Sequence, residues 1–149
     1  MDSIIQYAGA NPMLFGGLLL MFAVVFAYEL RVAGRKGMDV PPSEAVAFIN
    51  GGAQAVDIRA PAQFEKAHLL DARNAPLGDL DQHVSSLQKL QDTGILVYCD
   101  NGAKSLKAAE LLKAKGVSGI KTLRGGINAW RAENLPVFAG RKGRKKESA

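Results

Sequence analysis

Cys99 is the one cysteine of the chain, and its setting suits chemistry. It lies in "ILVYCDNGAKSLKAAELL", Ile95 to Leu112. An apolar, β-branched run delivers it, polar residues and a glycine follow at once, and a helical pattern then begins. A cysteine between a strand end and a helix N-terminus sits where fixed dipoles favour its thiolate, the nucleophilic form. Gly102 opens backbone angles closed to other residues, so the loop of Asp100, Asn101, Gly102 and Ala103 can turn successive N–H groups inward as an anion nest. Lys104 and Ser105 add donors at the rim. The pattern suits a thiolate that handles anions or carries a charged sulfur group. The other reading of the same position is a small, buried, unreactive hydrophobe, and position alone leaves both open.

Other chemistry-bearing residues are fewer. One cysteine and two distant histidines, His68 and His83, are too few ligands at suitable spacing for a metal. His83 lies in a polar helical stretch and reads as a surface residue. Asp57 and Arg59 read as loop braces acting through hydrogen bonds and charge. Trp130 reads as core or pocket wall.

The elements that must position these residues follow from pattern. Ser43 predicts the N-cap of a helix over Glu44–Ile49, ended by Asn50, Gly51 and Gly52. Ala55–Ile58 is a short strand, and Pro61 opens a helical turn. A third helix runs over Asp79–Leu90, with Gly94 closing it. Ile95–Tyr98 is apolar almost throughout, as in a parallel strand covered on both faces. A helix over Lys104–Lys115 with Gly116 as its stop, a strand over Gly119–Leu123 and a short helix carrying Trp130 complete the domain. Strands alternating with helices predict an α/β fold, a central parallel sheet with helices on both faces. In such a sheet ligands bind beyond the carboxyl ends of the strands, where Cys99 falls.

Outside that domain the chain changes character. "PMLFGGLLLMFAVVFAY", Pro12 to Tyr28, is 17 residues without a charge. It would make ~26 Å of helix against a hydrocarbon core of ~30 Å. It is apolar all round, which favours a membrane span over a core helix, and Ile4, Ile5, Tyr7 and Ala8 can lengthen it. Asp2 alone is charged before it and no cleavage pattern follows, so an uncleaved anchor is expected. Arg31, Arg35 and Lys36 place its N-terminus outside and the domain in the cytoplasm, a single pass of the inner membrane. The expected division is an anchor over 1–33, a linker over 34–43, a domain over 38–138 and a basic tail over 139–149.

The net charge of +5 belongs mostly to that tail, where Arg141, Lys142, Arg144, Lys145 and Lys146 face only Glu147. No aromatic residue interleaves them, so no nucleic-acid partner is expected. The tail reads as disordered and solvated, with anionic lipid as its contact at ~1 kcal/mol per cation.

Four segments, in order, resemble the rhodanese-like sulfurtransferases. "YCDNGAKS" is similar to their active-site loop. "VDIRAPAQFEKAHLLDARNAPL" resembles their D-x-R … F … G-H-I … A-x-N-x-P stretch, with Asp57, Arg59, Phe64, His68 and Leu69 in the corresponding places. "LRGGINAW" followed by "NLPV" resembles their C-terminal segment. The likeness covers about 38–137, and the whole arrangement looks like the single-domain, membrane-anchored rhodaneses of bacteria. The resemblance implies that a donor such as thiosulfate or a persulfide places its outer sulfur on Cys99. The loop holds the Cys99 persulfide, which is then passed to cyanide, a thiol or a protein. No metal or organic cofactor is called for. No general base is needed, so His68 is expected to fix a turn.

Two departures from the family pattern carry expectations. Asp100 stands where arginine is usual, and a carboxylate there opposes the thiolate and repels an anionic donor, with Lys104 offsetting it only in part. A persulfide is then a better donor than thiosulfate, and Asp100→Arg raises thiosulfate turnover. Ala67 replaces a usual glycine and should be tolerated. Related phosphatases need an arginine six residues after the cysteine, where this chain has Ser105, so phosphatase activity is not expected. The rival to an enzyme is a membrane-tethered interaction module of little turnover, docking on a membrane protein through Gly16 and Gly17.

Overall fold

The computed structural model describes residues 6–7, 9–33 and 37–140. Ile4, Ile5, Ala8, Arg35, Lys36 and the cations of the tail lie outside the described residues. Two compact units divide the chain, 1–36 and 37–149.

The first unit carries α1, Pro12–Ala33, 22 residues with no buried side chain. The helix outruns the uncharged run by taking in Glu29 and Arg31. At 1.5 Å per residue it is about 33 Å long. Among the described residues it is the one helix long and apolar enough to cross a membrane.

The second unit is a five-stranded sheet in the order β1-β5-β4-β2-β3. Its strands are β1 (Asp39–Val40), β2 (Gln54–Asp57), β3 (Arg73–Asn74), β4 (Ile95–Tyr98) and β5 (Ile120–Leu123), and every pairing is parallel. The helices are α2 (Pro42–Asn50), α3 (Pro61–Lys66), α4 (Leu80–Gln88), α5 (Ala103–Ala114) and α6 (Gly126–Ala132). All four residues of β4 are buried, as its apolar run requires at the centre of a two-sided sheet.

Alternation along β4 divides the core. Leu96 and Tyr98 pack with Ala45 of α2, Phe64 of α3, and Ile127 and Trp130 of α6. Ile95, Val97 and Cys99 point the other way, into Leu80 and Leu87 of α4 and Ala108 and Leu112 of α5. The sheet is therefore covered on both faces, as the strand–helix alternation predicts. The strand order also brings the carboxyl ends of β2, β4 and β5 side by side, and the loops that leave them share one rim.

Three local expectations are corrected. Ser43 caps nothing: α2 starts at Pro42 with Pro41 at the cap position and no side-chain cap. Proline at the first helical position removes one of the N–H groups that a helix start leaves unpaired and already holds the helical φ, so Pro42 starts the helix without a side-chain cap. The stretch read as a linker contains β1, whose Asp39 and Val40 pair with Thr122 and Leu123. The third helix is shorter than expected, because a 3₁₀ turn over Leu77–Asp79 precedes it and it ends at Gln88.

Candidate active site

Three strand ends build the site. From β4 the chain runs into Cys99, which is 2% exposed, and turns through Asp100, Asn101 and Gly102 into α5. Gly102 adopts φ +91° at the helix cap, and its N–H donates to the Cys99 Sγ at 3.1 Å. The left-handed backbone there is what aims that N–H at the sulfur. Asn101 folds its side chain back, with Oδ1 accepting from the Ala103 N–H at 3.1 Å and lying 4.0 Å from the Cys99 Sγ. Of the loop's N–H groups, Gly102 is thus the one placed on sulfur, while Ala103 is satisfied by the loop itself.

Ser105 does not stand at the rim as expected. Its side chain is buried and its hydroxyl donates to the Gly102 carbonyl at 2.7 Å. It lies on the first turn of α5, so its hydroxyl reaches back to brace the turn. Lys104, one residue earlier, does reach the mouth of the pocket.

The β5 end supplies the back of the loop. Gly125 and Gly126 open α6, and the α6 N–H groups of Ile127 and Asn128 donate to the carbonyls of Cys99 (2.9 Å) and Asp100 (3.1 Å). Gly126 has φ +60°, and a Cβ there would run into those same two carbonyls. The double glycine of "LRGGINAW" therefore lets a helix start lie directly against the cysteine loop. Sequence reading placed this segment but not its contact with the loop.

The β2 end supplies charge. The Asp57 carboxylate, fully buried, accepts the Arg59 backbone N–H (2.9 Å), its Nε (3.0 Å) and its Nη2 (2.6 Å). Arg59 Nη2 also donates to the Ala67 carbonyl at 2.6 Å, and Nη1 donates to Asp100 Oδ1 at 3.2 Å. Gln63 Nε2 donates to the other Asp100 oxygen at 3.3 Å. Burial works against the Arg59 charge, but the hydrogen bonds and charge of Asp57, then Asp100, outweigh it and hold the guanidinium above its ordinary range.

Arg59, not Lys104, is the counter-charge of Asp100; Lys104 forms no ion pair with it. The two partners are 41 residues apart, and no local pattern joins them. One guanidinium between two carboxylates still leaves the cluster net negative. Ala67 is tolerated because its backbone is extended, at φ −167°, a conformation any residue adopts.

His68 lies away from the pocket and holds a turn. It is fully buried, with Nδ1 donating to the Phe64 carbonyl at 2.8 Å and its ring stacked on Phe64 at 4.1 Å. Its backbone bridges to Phe138. Tyr98, not singled out from the sequence, is fully buried beneath Arg59, and its hydroxyl accepts the Leu69 N–H at 3.1 Å. Burial, with the Asp57 charge next, pushes its phenol well above the ordinary range. Trp130 is both core and wall: it packs against Ile127 and lines a separate apolar groove with Val46 and Leu70.

These parts enclose a pocket of about 300 Å³, lined by Cys99, Asp100, Asn101 and Lys104 from the loop and by Arg59 and Gln63 from the facing segment. A single sulfur nucleophile lies at its wall, one backbone donor on the sulfur, and charges of both signs stand around it.

The family model described as "Rhodanese-like domain" matches residues 41–133. The chain belongs to this family. It is 38% identical over 78 residues to an uncharacterized protein of Bacillus subtilis (strain 168), a match spanning 52% of this chain and 60% of that one. It is 36% identical over 84 residues to a protein of Allochromatium vinosum named sulfurtransferase, covering 56% of this chain and 77% of that one. The crystal structure of a rhodanese-related protein from Thermoplasma volcanium aligns at TM-score 0.61 and 25% identity, over 67% of this chain and 96% of that one.

Proposed function

We propose that the protein is a membrane-tethered sulfurtransferase that carries sulfane sulfur as a persulfide on Cys99. The observation that carries this reading is the Gly102 N–H held 3.1 Å from the Cys99 Sγ in the wall of a charged pocket. An inert buried cysteine has no need of a backbone donor and a polar cavity. The thiolate of Cys99 attacks the outer sulfur of the donor, the donor's S–S bond breaks, and its remainder leaves with the electron pair. The Cys99 persulfide then gives that sulfur to a thiol, cyanide or protein acceptor. Asp100, Asn101, Gly102, Ala103 and Lys104 form the cradle, and Ser105 braces its turn from within. Asp57 and Arg59 position it, and His68 supports the wall behind α3.

Sharing Arg59 between Asp57 and Asp100 leaves the mouth short of positive charge, which favours a persulfide over dianionic thiosulfate as donor. The folded domain occupies 38–138. Helix α1 spans the inner membrane with its N-terminus outside, a reading supported by its length and by Arg31, Arg35 and Lys36. The domain then lies in the cytoplasm, with the basic tail on the anionic leaflet.

The test is the intact mass of the full chain in detergent after incubation with thiosulfate or with a persulfide donor. Gain of one sulfur atom, absent in Cys99→Ser, with the persulfide the faster donor, is the expected result. No gain from either donor refutes the carrier reading and moves the function to a tethered interaction module.

A further inference from the structure

We propose that the acceptor is a small zwitterionic thiol of the α-amino-acid class, cysteine-like, bound with its ammonium on Asp100 and its carboxylate on Lys104. This rests on the sulfurtransferase reading above and names the substrate class of that same pocket.

Asp100 and Lys104 both line the pocket whose wall holds Cys99. They are the loop's two charged side chains and have opposite signs. A pocket built for a simple anion would carry cations alone. Asp100 is held in place rather than free, since Arg59 and Gln63 each take one of its oxygens. A carboxylate has about four acceptor positions, so two remain. With its side chain 47% exposed, those positions are open to a ligand. Arg59 donates to Asp57 at 2.6 and 3.0 Å, closer than its 3.2 Å contact to Asp100, so Asp100 keeps much of its charge. Lys104 forms no ion pair with any described residue, which leaves its ammonium for a substrate carboxylate.

Size points the same way. About 300 Å³ is the lower end of ligand pockets, room for a single amino acid rather than a peptide. A thiol whose amine is acylated loses the ammonium that Asp100 would hold, and a thiol lacking a carboxylate loses the contact to Lys104.

The transfer balances without an outside oxidant. The acceptor thiolate attacks the outer sulfur of the Cys99 persulfide and forms a new S–S bond. The Cys99 S–S bond breaks, its electron pair returns to the Cys99 sulfur as thiolate, and the proton of the persulfide leaves with the new persulfide.

The experiment loads the full chain in detergent with a persulfide donor, confirms the added sulfur by mass, and follows its discharge to L-cysteine, N-acetylcysteine and cysteamine. Each rate is divided by that thiol's rate with a small organic trisulfide, which removes intrinsic thiol reactivity. The expected result is about a tenfold preference for cysteine over each analogue, the factor a single well-formed charge contact supplies. Asp100→Asn should erase the preference over N-acetylcysteine and keep that over cysteamine. Lys104→Met should do the reverse, and it tests the proposal even if the Asp100 variant fails to fold. Equal normalised rates for the three thiols on the loaded wild-type chain overturn the proposal and leave the sulfurtransferase reading standing. A chain that takes up no sulfur from any donor overturns both.

Discussion

The cysteine loop is held from two sides by different physics. Behind it, α6 offers backbone only: the N–H groups of Ile127 and Asn128 meet the carbonyls of Cys99 and Asp100, and Gly126 makes the approach possible by having no side chain. In front of it, side-chain charge does the holding, through the chain Asp57, Arg59, Asp100. The backbone contact is neutral and insensitive to salt or substrate charge. The ionic contact reaches the pocket mouth and feels both. A loop that must keep its sulfur in place while admitting charged molecules gains its rigidity from the first and its selectivity from the second.

The largest blow to the ionic side is Arg59→Met. It strands the fully buried Asp57 carboxylate without its partner, an uncompensated buried charge costing about 3–5 kcal/mol. Urea denaturation should show that loss, together with slower sulfur loading. A loss below 1 kcal/mol would mean that Arg59 contributes little to holding the loop.

Next, on the backbone side, comes Gly126→Ala. A methyl there meets the two loop carbonyls from a positive φ, at about 2–4 kcal/mol from strain and overpacking together. Sulfur loading should fall with stability. A variant that loads as fast as wild type would show that α6 is not the wall that fixes the loop.

Tyr98→Phe lies beneath the ionic side. It leaves the buried Leu69 N–H without its acceptor, worth about 1–3 kcal/mol. Because the folded phenol is held above its ordinary range, its contribution is whole below about pH 10 and is lost as pH rises past that point. Wild-type melting temperature should therefore drop above about pH 10, and the Phe variant should drop less. Identical alkaline profiles would rule out Tyr98 as the group responsible.

The smallest expected effect is that of Gly102→Ala, where the two sides meet. The added methyl would lie 3.1 Å from the Gly125 nitrogen and 3.3 Å from the Leu123 carbonyl oxygen, at φ +91°. About 1–2 kcal/mol of backbone strain is expected, with the N–H to Cys99 Sγ displaced. The measurement that separates this from general destabilisation is loading rate per folded molecule, which should fall more than stability does.

Much of the architecture was legible because it is written in local periods. The apolar run of β4 and the breaks at Gly94 and Gly102 mark strand, turn and helix without reference to anything distant. Two-residue strands leave no such trace: Asp39–Val40 and Arg73–Asn74 are strands only because β5 and β2 lie beside them. Ser43 misled because a good capping side chain was read where two prolines start the helix instead.

The site divides in the same way. Residue types and spacing alone determined a strand–cysteine–glycine–helix loop, an apolar N-terminal helix and a basic tail, since each depends on neighbours within a few positions. Tertiary structure decided which contacts the loop would have. It turned Ser105 inward, set the Gly125–Gly126 helix start against Cys99, and joined Arg59 to Asp100 across 41 residues. The physical reason is that parallel strands bring their carboxyl ends together whatever the distance along the chain. Charge and backbone partners at that rim are therefore set by strand order, and strand order is a property of the folded sheet.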